Sequence, residues 1–98
     1  MILHLTRGAE RDLEVIGDYI ARDNPSRAIT FIRNLRKSCL GLAEMPHRFP
    51  LMQGFEAAGV RRRLHGNYLI FFRVEREVVL VIHILHAASD YSSAVLGD

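Results

Sequence analysis

An α+β fold is predicted for this chain: β-α-α-β-β-β, a helical hairpin packed on one face of a mostly antiparallel four-stranded sheet. Three observations predict it. Apolar residues recur at helical spacing through two stretches of the first half. The period drops to two after Gly59. The last strand, Val78 to His86, is apolar on both sides, as expected of a strand inside a sheet with both faces covered.

Ile2 to Leu5 is a short apolar strand, and Thr6 is placed to cap the helix that follows by accepting from an orphan N–H of its first turn. Ala9, Leu13, Ile16, Gly17 and Ile20 form that helix's apolar stripe, with Glu10, Asp12, Glu14 and Asp18 mostly off it. Asp23-Asn24-Pro25 breaks the pattern: Asn24 is an N-cap and Pro25 a natural first helical residue. Ala28, Phe31, Ile32, Leu35, Cys39 and Leu42 make the second stripe, flanked by Arg27, Arg33, Arg36 and Lys37. Pro46 disfavours helical geometry at Met45, so this helix should end near Glu44. With almost no linker, the two helices should run antiparallel.

Residues 45–59 hold Pro46, Pro50, Gly54 and Gly59 and read as loop. Val60 to His65 and Tyr68 to Val74 then read as two strands around a tight turn at Gly66 and Asn67. Tyr68, Ile70, Phe72 and Val74 share one side of their strand; Leu69, Phe71 and Arg73 share the other. Glu75-Arg76-Glu77 is a polar turn. In the last strand a regular pleat places Val78, Leu80, Ile82 and Ile84 on one face and Val79, Val81 and Leu85 on the other. It also sets His83 and His86 on opposite faces. The hairpin covers one face of the sheet. The other needs the proline-containing loop, the C-terminal tail or a partner.

The 98 residues suit one domain, residues 1–98, with a thin core that buries roughly 60–65% of the unfolded surface. An apolar fraction of 49% argues for a globule over disorder. Met1 to Leu5 is too short for a signal peptide, and Val78 to Ile82 is far short of the roughly 20 residues that span a bilayer. A soluble cytoplasmic protein without membrane contact is expected. Cys39 is the only cysteine, which excludes an internal disulfide, and its helical position makes it a small core hydrophobe. The five histidines lack zinc-ligand spacing, so no metal is expected. No phosphate loop, dinucleotide fingerprint or G-x-S-x-G is present, and no cofactor is expected.

Charge is distributed unevenly. The net value is +2, but residues 24–63 carry seven arginines and Lys37 against Glu44 and Glu56, a local +6. The segments on either side are each −2. Arginine, twelve of the thirteen basic residues, pairs bidentately with carboxylates and phosphates. Codon bias would explain the composition but not the clustering. Arg61, Arg62 and Arg63 alternate across the sheet, Arg61 and Arg63 on one face and Arg62 on the other. They can protect an edge strand from aggregation or bind an anion. His86, at the end of the last strand, can be structural, bonded to a carboxylate such as Asp90, or act as a general acid or base.

The order of elements, with Gly59-Val60-Arg61-Arg62, Gly66-Asn67-Tyr68, Phe71-Phe72-Arg73-Val74 and Ile84-Leu85-His86-Ala87-Ala88-Ser89-Asp90, strongly resembles the RelE/ParE superfamily of type II toxins, and the ParE branch most. Ala9 to Ile16 matches that family's A-x-x-D-L-x-x-I start. The likeness covers nearly the whole chain. One departure is Ser89, which stands where the ParE-type His-x-x-Arg-Asp ending carries arginine.

The resemblance implies a growth-inhibiting toxin, acting in plasmid maintenance or stress response, neutralised by an acidic antitoxin that folds as it binds. The two would form a hetero-oligomer. A ParE-like member would inhibit DNA gyrase by binding, with no catalytic residues of its own. On this reading Arg61, Arg63, Tyr68, Phe71 and Arg73 are the candidate antitoxin contacts. The alternative is a RelE-like ribosome-dependent ribonuclease, in which Arg62 or Arg63 would stabilise phosphorane charge and His86 or Tyr91 would move the proton. A non-toxic scaffold of the same fold is a third reading.

Overall fold

The computed structural model describes residues 1–96. Strand β1 (Ile2–Leu5) leads into helix α1 (Arg7–Ala21), and a three-residue corner into α2 (Pro25–Gly41). Then come β2 (Arg61–His65), β3 (Tyr68–Glu75), β4 (Val78–His86) and a short helix α3 (Ser92–Leu96). The sheet order is β1-β4-β3-β2, antiparallel except for the parallel β1–β4 pair. The α+β architecture, its hairpin and its four strands are those the sequence predicts.

Both helices start at the expected caps. Thr6 Oγ1 accepts from Ala9 N–H at 3.1 Å, and Asn24 Oδ1 from Arg27 N–H at 3.1 Å. Helix α2 stops earlier than the sequence predicts, at Gly41. From there Ala43 N–H and Glu44 N–H bond three residues back, to Leu40 and Gly41, and the tightened turn ends at Met45 with φ 51°. The helices cross closely at Gly17, where an added Cβ would lie 3.3 Å from Ile32 Cγ1.

Two cores lie on opposite faces of the sheet. On the hairpin face Leu13, Ile16, Leu35 and Leu42 close over Ile70, Phe72, Val79 and Val81. On the far face Leu69, Phe71 and Ile82 lie under Met52 and Val60 of the 45–60 segment and Val95 of α3, with Phe55 and Tyr91 packed alongside. The second cover is therefore the chain's own loop and tail. The 45–60 segment is less irregular than a bare loop, with 3-10 turns at Pro46–Arg48 and Glu56–Ala58. Its Leu51 bridges Arg61, so it also shields part of the outer edge of β2.

A β-bulge corrects the expected pleat of β4. Phe71 pairs with His83 but Phe72 pairs with Val81, so β4 carries one extra residue there. Val79, Val81 and Ile84 consequently face the hairpin, whereas Leu80, Ile82 and Leu85 face away. His83, opposite Phe71 beside the bulge, reaches Asp12 of α1, and His86, opposite Tyr68, borders the space beneath the hairpin. Asp12 Oδ2 accepts from Ile84 N–H at 2.9 Å and lies 2.9 Å from His83 Nδ1, which ties α1 to the bulge.

Candidate functional site

The bulge and the hairpin together open a cleft of about 720 Å³ at one end of the sheet. Val15, Ile16, Tyr19 and Ile20 of α1 and Phe31 of α2 form one wall. Tyr68, Ile84 and Leu85 form the other, with His86 and Ser89 at the rim. Val15 and Tyr19 stand 62% and 64% exposed, an apolar surface that no neighbour among the described residues covers. Edge-on ring contacts join His65, Phe31, Tyr68 and His86 in a row, with centroid spacings of 5.6, 5.6 and 5.2 Å. Burial, and then the neighbouring Tyr19, push the Tyr68 hydroxyl above its ordinary pKa, so it stays protonated at neutral pH and able to donate. Arg27, over the Phe31 ring, and Asp23 supply opposite charges at the cleft.

His86 is held locally. Its Nδ1 accepts from Ala88 N–H at 3.0 Å, and its carbonyl accepts from Ser89 Oγ at 2.7 Å. Its partner is thus a backbone amide in the turn, and not the carboxylate of Asp90. With Nδ1 as acceptor, the neutral ring carries its proton on Nε2.

The residues of β2 that face the hairpin fasten the fold. Arg61 Nη1 donates to Phe49 O at 2.7 Å and to His47 O at 3.3 Å. Arg63 Nη1 donates to Ser38 O at 2.9 Å, capping a carbonyl in the last turn of α2. Its guanidinium also lies 5.2 Å from the centre of the Phe49 ring. His65 Nδ1 lies 2.6 Å from Ser38 Oγ. Arg62 points to the far face and is exposed.

The matching family model, ParE toxin of the type II toxin-antitoxin system parDE, covers residues 3–91. This chain belongs to that family. Its fold is similar to the chromosomal ParDE system of P. aeruginosa, at TM-score 0.75 and 24% identity over 88% of this chain and 95% of that one. It is also similar to the RelBE2 toxin-antitoxin complex of Mycobacterium tuberculosis, at TM-score 0.64 and 20% identity over 87% and 95%. No curated protein sequence matches.

In this ParE-family chain the candidate antitoxin contacts do not form one surface. Arg61, Arg63 and Tyr68 lie on the hairpin side of the sheet. Phe71 is fully buried in the far core, and Arg73, on that same side, pairs with Glu75 at 3.2 Å. The four ribonuclease candidates divide likewise: Arg63 and His86 on the hairpin side, Arg62 and Tyr91 on the far side, where Tyr91 packs on Phe71. Sequence reading missed Val15, Tyr19 and Phe31 as cleft residues. Val15 and Tyr19 lie outside the α1 stripe that fills the core, the one signal that could have found them. Cys39 is 1% exposed, and burial outweighs the pull of Arg36 and Arg63 to push its thiol up to about 11. Among the described residues no His, Cys, Asp and Glu group of three or more could hold a metal. No helix among them is long and apolar enough to cross a membrane.

Proposed function

We propose that this toxin acts by binding DNA gyrase, without covalent chemistry of its own, and is silenced by an acidic antitoxin that folds into the cleft under the hairpin. The cleft carries the reading. Its walls are apolar and aromatic, it is open along one side, and Val15 and Tyr19 leave uncovered surface suited to the apolar face of an amphipathic segment. Apolar anchors contribute about 25 cal/mol per Å² removed from water before ordering costs, whereas exposed ion pairs give roughly 0.2–1 kcal/mol each. Tyr68 and its neighbours therefore dominate affinity. Arg27 and the basic region 24–63 mainly speed encounter with an acidic partner. On the hairpin side, where Arg63 and His86 share a face, the Arg63 guanidinium is committed to the Ser38 carbonyl and the Phe49 ring. That favours binding over RNA cleavage, because a charge stabiliser must be free to reach the phosphate.

The test is purified toxin in a gyrase supercoiling and DNA-cleavage assay, beside a translation reaction. Supercoiling should fall and cleaved DNA should accumulate, while translation continues. Unaffected gyrase together with codon-specific cuts in ribosome-bound message would replace this reading with the ribonuclease. The antitoxin is sought in the neighbouring reading frame, and Tyr19→Ala should raise its dissociation rate more than it slows association.

A further inference from the structure

The outer side of the helical hairpin holds a second groove, of about 640 Å³, lined by residues of α1 and α2 alone. Its walls carry opposite charge. Glu14 and Asp18 stand on α1, Arg33 and Arg36 on α2, and all four are exposed. Arg36 is committed to Glu10 at 2.9 Å, but Glu14, Asp18 and Arg33 form no ion pair among the described residues. The groove holds them apart. Ile29 adds an apolar contact at 62% exposure.

We infer that this face pairs with the same face of a second copy of the chain. The antiparallel helices set the levels: Glu10 meets Arg36, Gly17 meets Ile32, and so Glu14 and Arg33 stand at similar height on opposite walls. A two-fold axis parallel to the hairpin lays α1 of each copy over α2 of the other. Glu14 of each copy then faces the unpaired Arg33 of the other, Asp18 stands about one turn along the same wall, and the two Ile29 side chains enter the contact. The 15 and 17 residues of the helices make a face about 25 Å long and about 20 Å wide, or about 1,000 Å² in total for two copies. That is the low end of specific interfaces, so the dimer is weak, dependent on concentration and sensitive to salt. The cleft under the hairpin stays open in it.

Sedimentation velocity over a concentration series tests this with the whole chain. At low salt the wild type should shift from monomer to dimer, and raising salt should weaken the dimer by about tenfold or more. Glu14→Arg with Asp18→Arg should remain monomeric, as should Arg33→Glu alone. All these positions are exposed, so circular dichroism should report unchanged folds. Mixing the two variants should restore a heterodimer, because each altered wall then meets its complement. A wild type monomeric throughout would overturn the inference, as would a dimer that survives both reversals or a mixture that fails to associate.

Discussion

On the hairpin face of the sheet, packing is reinforced by side chains that reach across layers. Arg61 holds the carbonyls of His47 and Phe49, Arg63 caps Ser38, His65 meets Ser38 Oγ, and Asp12 secures the β4 bulge. On the far face, Met52, Phe55, Val60, Tyr91 and Val95 cover an equally dry core. Arg61 holds only the start of that covering segment, at His47 and Phe49, and the residues that lie on the far core itself pack there by apolar contact. Excluding water from a strand thus needs only apolar area, whereas fixing the position of a cover needs directed bonds as well. The far cover should open locally while the hairpin stays docked.

The largest effect expected from this contrast concerns the cores. Leu35→Ala should cost about 2–5 kcal/mol, since Leu35 is wholly buried between α2 and the sheet. Val95→Ala should cost about 1–2 kcal/mol, because it removes two methyl-sized groups from a cover that can resettle. Urea titration gives both values. In native-state hydrogen exchange, amides of the far cover should exchange at lower free energy than those of β3 and β4. If both regions exchange only through global unfolding, the contrast between the faces is wrong.

Asp12 sharpens the comparison at the next scale. Asp12→Ala leaves the partly buried Ile84 N–H without its acceptor, a loss of about 1–3 kcal/mol. Asp12→Asn retains an acceptor oxygen and should recover part of that loss. Equal stability for the alanine and asparagine variants would mean that the bulge is held by packing alone.

Neighbouring arginines divide the same way. Arg63→Ala removes a cap from α2 and should cost about 1–2 kcal/mol, while Arg62→Ala, exposed on the opposite side of β2, should stay within about 0.5 kcal/mol. A reversed order in thermal melts would show that the hairpin-side arginine is a surface charge after all.

Periodicity and capping chemistry made the fold legible in the sequence: Thr6 and Asn24 cap as their side chains require, and β3 alternates as read. The bulge was not legible. The run from Val78 to Leu85 is apolar at all but one position, so shifting its pleat by one exchanges one apolar residue for another and leaves no mark in the pattern. The candidate site was only partly legible for the same reason. Alternation correctly set Arg62 against Arg61 and Arg63, but sequence cannot say that two of these guanidinium groups find backbone carbonyls close by. The cleft depends on how far the hairpin overhangs the end of the sheet, which is a tertiary quantity. Its exposed Val15 and Tyr19 look, in the sequence, like ordinary helical surface.

The smallest effect is a pH dependence, and it also separates the two faces. Burial, and then the positive charge of Arg63, hold the His65 imidazole below its ordinary value of 6.5. The unfolded chain therefore takes up a proton on His65 at a pH where the folded chain does not. Stability contributed by neutral His65 is fully present above about pH 6.5 and is lost as pH falls below it, toward the lower folded value. The physical route is local. His65 Nδ1 lies 2.6 Å from Ser38 Oγ, and a charged ring would stand beside Arg63 with its preferred tautomer gone. Urea midpoints measured from about pH 7.5 down to about pH 5 should fall, and His65→Asn should flatten that fall relative to wild type. Hydrogen exchange at the lower pH should loosen the last turn of α2, where Ser38 sits, before the far cover changes. Should acid loosen the far cover first, with the slope unaltered in His65→Asn, the pH response would belong to other groups and the fastening role of β2 would not include His65.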